Sequence, residues 1–167
     1  MSREKATTSI SGCTVAIFCL CLIFAAVVFG VEPVQFPAFS VQGMDGSASN
    51  TSTWTLQSKW VVVYVEGRSD PLLRRLSQPE FSQVAVRTII IVGGLQLQDA
   101  QAVQKKFPQL ASASWFVDSP KNAVGALGLE GAPIMIGVQD KTLRWRVNGF
   151  PHDPKFLQSL LTRWIAQ

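Results

Sequence analysis

Cysteine is missing from most of this 167-residue chain: the three that it has, Cys13, Cys19 and Cys21, all lie near the N-terminus. That excludes disulfide staples, cysteine-held zinc and thiol chemistry from everything downstream. Histidine is almost as scarce. The single one, His152 in "FPHDPK", has no cysteine or second histidine near it in sequence, so it reads as a loop residue ahead of a helix capped by Asp153. Charge is sparse at 16% of residues, and Arg74–Arg75 and Lys105–Lys106 are its only basic doublets. After residue 30, thirteen Lys and Arg stand against ten Asp and Glu, a net +3 with the signs interspersed. That pattern favours solubility and excludes a nucleic-acid footprint. The doublets, and Arg144 and Arg146 alternating along a strand pattern, read as solvated faces. There is no internal repeat and no low-complexity run.

What the chain does have is a long apolar run at one end. Arg3 and Lys5 lead into "CTVAIFCLCLIFAAVVFG", Cys13 to Gly30, which carries no charge. Its length falls between a long secretory h-region and a short membrane span. Val28 and Gly30 suit the −3 and −1 positions of a signal-peptidase site, but no Ala-x-Ala is present, so an uncleaved anchor is expected over 13–30. The string "ISGC", Ile10 to Cys13, precedes the apolar run, whereas a lipoprotein box follows one. The positive-inside rule places residues 1–12 in the cytoplasm. It sends the rest across, as a single-pass inner-membrane protein with its C-terminal domain in the periplasm or another extracytoplasmic space. Val31 to Ala38 reads as a tether and 39–167 as one domain, whose roughly 120 residues suffice for a core without disulfides.

Within that domain the regular elements alternate. "WVVVYV" (Trp60 to Val65) and "TIIIVGG" (Thr88 to Gly94) are continuous β-branched runs, the pattern of strands buried on both faces. Helical patterns follow each, at Asp70 to about Gln78 and Leu97 to Phe107. "SWFVD" (Ser114 to Asp118) is a weaker strand, followed by a helix that Ser119 can cap with Pro120 in its first turn. "APIMIGVQDKTLRWRVNG" reads as a hairpin turning around Gln139 to Thr142, and "DPKFLQSLLTRWIAQ" as a terminal helix. Phe156, Leu157, Leu160, Leu161 and Ile165 form the apolar stripe of that helix. "GMDGSASNTST", Gly43 to Thr53, reads as a polar loop; its Asn50-Thr51-Ser52 fits the glycosylation triplet, which has meaning only in a eukaryotic secretory pathway. A parallel βαβ half followed by an antiparallel ββα half is a thioredoxin-like α/β layout around a mixed central sheet.

Three strings carry a family resemblance. "FPAFSVQGMDG" (Phe36 to Gly46), "WVVVYVEGRSDPLLR" (from Trp60) and "GLEGAPIMIGVQDKTLRWRVNG" (Gly128 to Gly149) resemble the opening segment, the active-site turn and the cis-proline segment of membrane-tethered thioredoxin-like proteins of the TlpA and cytochrome c maturation type. The likeness covers about Phe36 to Gln167. It implies a Cys-x-x-Cys at the start of the first helix, where the helix dipole stabilises a thiolate. The two cysteine positions match Asp70 and Leu73 in one register, or Pro71 and Arg74 in another, and neither offers sulfur. Asp70 instead reads as a helix cap ahead of Pro71. The resemblance also implies a cis bond at Pro133, exposing the backbone of its neighbour for pairing with an extended peptide.

The expected site is therefore a groove between Glu66, Arg68, Ser69, Asp70 and Leu73 on one side and Ala132 and Pro133 on the other, with Arg68 selecting charge. No catalytic residue, metal or cofactor is expected. The expected role is redox-inactive binding of a partner protein in an envelope assembly, such as a secretion, conjugation or cytochrome maturation system. Two alternatives remain open. Glu66 or Asp70 serves as acid or base on a small molecule, Glu66 otherwise being solvated or paired with Arg68; or the domain docks beside a cysteine-bearing thioredoxin. Ser69 as a nucleophile and Gly93–Gly94 as a phosphate loop lack the partners such chemistry requires. The five tryptophans read as core with exposed edges, Trp145 between two arginines being the one suited to an interface.

Overall fold

A run of β-branched residues with no polar alternation can bury every side chain only in a strand covered on both faces. The structure, a computed structural model, describes residues 34–67, 70–151 and 153–166. The apolar run at 13–30, Arg68, Ser69, His152 and the side chain of Asp70 lie outside what the structure describes. Among the described residues no helix is long and apolar enough to cross a membrane.

Seven strands form one sheet among those residues: β1 (Ser40–Gly43), β2 (Ala48–Asn50), β3 (Trp60–Glu66), β4 (Thr88–Gly93), β5 (Ser114–Asp118), β6 (Ile134–Gln139) and β7 (Thr142–Asn148). The helices are α1 (Asp70–Leu76), α2 (Ser82–Ala85), α3 (Leu97–Lys105), α4 (Asn122–Leu127) and α5 (Pro154–Ala166). Strand order is β2-β1-β5-β4-β3-β6-β7. β3, β4 and β5 are parallel, whereas β6 and β7, and β1 and β2, join antiparallel at opposite ends. This is the parallel βαβ and antiparallel ββα arrangement that the sequence predicts.

β3 sits at the centre. Val61, Val63 and Val65 enter a cluster with Leu72 and Leu76 of α1, Ala100 of α3 and Leu157 and Leu161 of α5. Val62 and Tyr64 enter a second cluster with Phe39, Leu56 and Ala123 and Leu127 of α4. Each fully buried side chain of this size contributes roughly 1.5–3 kcal/mol, so the strand anchors both layers.

Local chemistry departs from the sequence expectation in four places. The polar stretch after Gly43 is half of a hairpin, because Asp45 Oδ1 accepts from Ser47 N–H at 2.9 Å and Gly46 takes φ +88°, closing the turn between β1 and β2. α4 is capped by Asp118 rather than Ser119: the two Asp118 carboxylate oxygens accept from Asn122 N–H at 2.8 Å and Ala123 N–H at 2.7 Å. Ser119 donates instead to the Leu95 carbonyl at 2.6 Å. From Val34 onward the segment read as a tether lies against the domain, with Leu143 N–H donating to Val34 O at 2.8 Å and Phe36 N–H to Lys141 O at 2.6 Å. Arg146 is exposed as expected, but it also donates to the Leu127 and Gly128 carbonyls at 3.1 Å each and so closes the C-terminal end of α4.

Asp140 and Lys141 form the tight β6–β7 turn, both with positive φ (52° and 57°), the backbone that matches strand twist in a two-residue hairpin. At Gly93 the Tyr64 ring crosses so closely that a Cβ would lie 1.9 Å from the phenol oxygen. Replacing Gly93 by Ala is expected to cost on the order of 2–3 kcal/mol, read as a lower urea midpoint at unchanged slope; an unchanged midpoint would show that Tyr64 can move aside.

Candidate functional site

The carboxyl ends of parallel strands are where α/β folds open to ligands. Here β3 leaves the sheet at Glu66 and Gly67, α1 begins at Asp70, and β6 is entered through a cis Ala132–Pro133 bond. Between them lies a groove of about 370 Å³. Pro71, Leu72, Pro133 and Phe150 give it apolar walls, Ala132 lies at its side, and Glu66 is the only charged lining residue among those described. Pro133 is tied in place by its carbonyl, which accepts from Gly149 N–H at 2.8 Å. Neither the N–H nor the C=O of Ala132 has a hydrogen-bond partner among the described residues.

Of the residues expected from sequence, Glu66, Ala132 and Pro133 meet at this groove. Leu72 and Leu73 are both buried in the core cluster, and of the two only Leu72 lines the groove. Arg68 and Ser69 lie outside the described residues, and Asp70 is the first residue of α1.

Glu66 is held from the sheet side. Lys121 Nζ stands 3.0 Å from Glu66 Oε1, and the Tyr64 hydroxyl donates to the same oxygen at 3.4 Å. Lys121 reaches across because it adopts a left-handed conformation (φ 57°) just ahead of α4 and lays its stem over Gly94, where a Cβ would meet it at 2.6 Å. Arg68, the partner expected for Glu66 from sequence if it is not solvated, lies outside the described residues. Lys121 is 55 positions away and no local pattern announces it. Phe150 was also missed; its signal was an aromatic standing outside any helix or strand period, between Gly149 and Pro151. Among the described residues, no three His, Cys, Asp or Glu side chains assemble into a set fit for a metal ion.

No family model matches this chain, and no curated protein matches it. Solved structures do. A thiol:disulfide interchange protein of the thioredoxin family from Chlorobium tepidum superposes with TM-score 0.60 at 15% identity, over 81% of this chain and 98% of that one. The exposed lipoprotein thioredoxin Etrx1 of Streptococcus pneumoniae gives 0.55 at 16%, over 75% and 98%. A secreted Mycobacterium tuberculosis disulfide oxidoreductase gives 0.58 at 15%, over 75% and 95%.

Tyr64 is the only tyrosine in the chain, so its ionisation can be read without interference from another phenol. Burial, and then the negative charges of Glu66 and Asp118, push its pKa above the ordinary 10.0. The folded state thus prefers the neutral phenol. That contribution to stability is complete below about pH 10, the phenol value of the unfolded chain, and is lost as pH rises toward the folded value. Phenolate absorbance in the folded chain is expected only above the ordinary range, with Glu66→Gln moving the midpoint back down; a midpoint at the ordinary phenol value would remove the buried network. Helices, strand order, cis-proline position and neighbours together establish that residues 34–166 of this chain form a thioredoxin-like α/β domain.

Proposed function

We propose that this chain is a membrane-anchored, extracytoplasmic thioredoxin-like protein that binds an extended segment of a partner protein in the groove beside Pro133, without exchanging disulfides. One observation supports this most. Ala132 offers an N–H and a C=O with no partner among the described residues, at a cis bond, in an apolar groove, and the chain has no cysteine past Cys21. Backbone pairing of an added strand supplies affinity from such groups, and flanking pockets supply selection. Without an attacking thiolate no thiol–disulfide exchange can start there.

The groove walls favour an apolar side chain against Pro133 and Phe150, with a donor group beside Glu66. The run at 13–30 would tether the domain to the membrane, which suits a partner in an envelope assembly. Acid or base chemistry by Glu66 would have to begin from a carboxylate already engaged by Lys121 and Tyr64, and binding asks less of it.

A photoreactive residue at Phe150, with one at exposed Lys105 of α3 as the control, tests this in intact cells. A discrete protein adduct from position 150 alone is expected, abolished by Pro133→Ala. Equal adducts from both positions, or none from position 150, would overturn the reading.

A further inference from the structure

We propose that the outer edge of β7, with the aromatic hollow between β7 and α5, is a second docking site, separate from the groove at Pro133. Its occupant is an extended peptide segment in which apolar and acidic residues alternate.

The hollow has a volume of about 320 Å³ and is lined by Trp145, Phe156, Ser159, Leu160, Arg163 and Trp164. A register shift in the sheet builds it. Val138 pairs with Leu143 but Gly137 pairs with Trp145, so Arg144 is an extra residue, a β-bulge that sets Trp145 opposite Gly137. Gly137 has no Cβ, and the Trp145 indole occupies that space; an added Cβ would lie 2.1 Å from its Nε1. The indole then meets that of Trp164 edge-on at 5.7 Å and 86°. Trp164 is itself fixed by donating to the Trp60 carbonyl at 3.1 Å. Phe156, 49% exposed, forms the outer lip. Two packed indoles and an exposed phenylalanine around a recess are the makings of an interface anchor site.

Among the described residues the strand beside this recess is open: β7 ends the sheet, and its far side is met there only at its start, by the Gln35–Thr142 bridge and the Leu143 to Val34 bond. Among the described residues no strand pairs with that side from Arg144 to Asn148. An added strand can therefore extend the sheet.

Charge names the occupant. Lys59 Nζ lies 5.0 Å over the Trp164 ring, Arg163 lines the hollow, and Arg144 stands on the exposed face of β7. None of the three forms an ion pair among the described residues, and no acidic residue lines the hollow. Arg146 differs, since its guanidinium is committed to Leu127, Gly128 and Asn148. Side chains of a strand alternate between faces. An added strand would thus send apolar groups into the hollow and acidic ones to Arg144 on the other face, with Lys59 and Arg163 at the rim. A second copy pairing through its own β7 would set cations against cations. A bilayer is met by protruding apolar groups, whereas this site is recessed.

The test is fluorescence anisotropy of a labelled synthetic peptide of alternating leucine and aspartate, titrated with the full-length chain. Saturable binding is expected, weakened about tenfold or more by Phe156→Glu, weakened by Arg163→Glu and by added salt, and unchanged by Phe150→Glu in the other groove. A lysine-for-aspartate peptide should not bind. Because Phe156 is exposed, an unchanged thermal midpoint will show that Phe156→Glu still folds. Absence of saturable binding, equal binding of the lysine peptide, indifference to Phe156→Glu, or binding only to phosphatidylserine vesicles would each overturn the proposal.

Discussion

Burial of β3 on both faces is the constraint on which the remaining architecture depends. From Val61 to Val65 every side chain is removed from water, alternately into two separate clusters. Helices must therefore cover both sides of the sheet, and the strands flanking β3 must themselves be apolar. Polar chemistry can begin only where β3 ends. Glu66 is the first residue past that burial, and Gly67, α1 and the β6 entrance converge on the same end of the sheet. The position of the groove is thus a consequence of the core.

The polar network beneath the groove follows from the same packing. Tyr64 is pinned over Gly93 by a contact that leaves no room for a Cβ, and this fixes its hydroxyl beside Glu66. Asp118 is fully buried, but both of its oxygens are occupied by backbone donors of α4. That cap sets the turn in which Lys121 swings over Gly94 to reach Glu66. A buried carboxylate, an aromatic ring and two glycines therefore act together to place one exposed ion pair. The ion pair itself, with both partners more than a third exposed, adds little stability; its consequence is the charge and shape presented at the rim of the groove.

Much of the fold was legible in the sequence because its strongest signals are local. The β-branched runs at Trp60 and Thr88 and the terminal amphipathic stripe each announce one element, and their order admits few topologies. Leu157 and Leu161 of that stripe are buried as expected, whereas Phe156 is at the exposed lip of the hollow because the stripe is wider than the face α5 lays on the sheet. Asp118 was hidden as a cap because Ser119 and Pro120 offer the more familiar signature. The site was legible only in part. Glu66 could be placed from its position after an apolar run, and Ala132–Pro133 from resemblance, but Lys121 and Phe150 reach the groove through long-range packing. Leu73 was assigned by counting from the family's cysteine positions; both it and Leu72 pack in the core, and only Leu72 also lines the groove.

The central claim is that the Ala132 backbone serves as a pairing edge for a partner segment. Amide hydrogen exchange at Ala132, in the full chain with and without the protein captured at Phe150, addresses it directly. Rapid exchange in the free chain and marked slowing in the complex, centred on Ala132, is the expected result. Slowing confined to β7 and α5, with Ala132 exchanging as before, would contradict it.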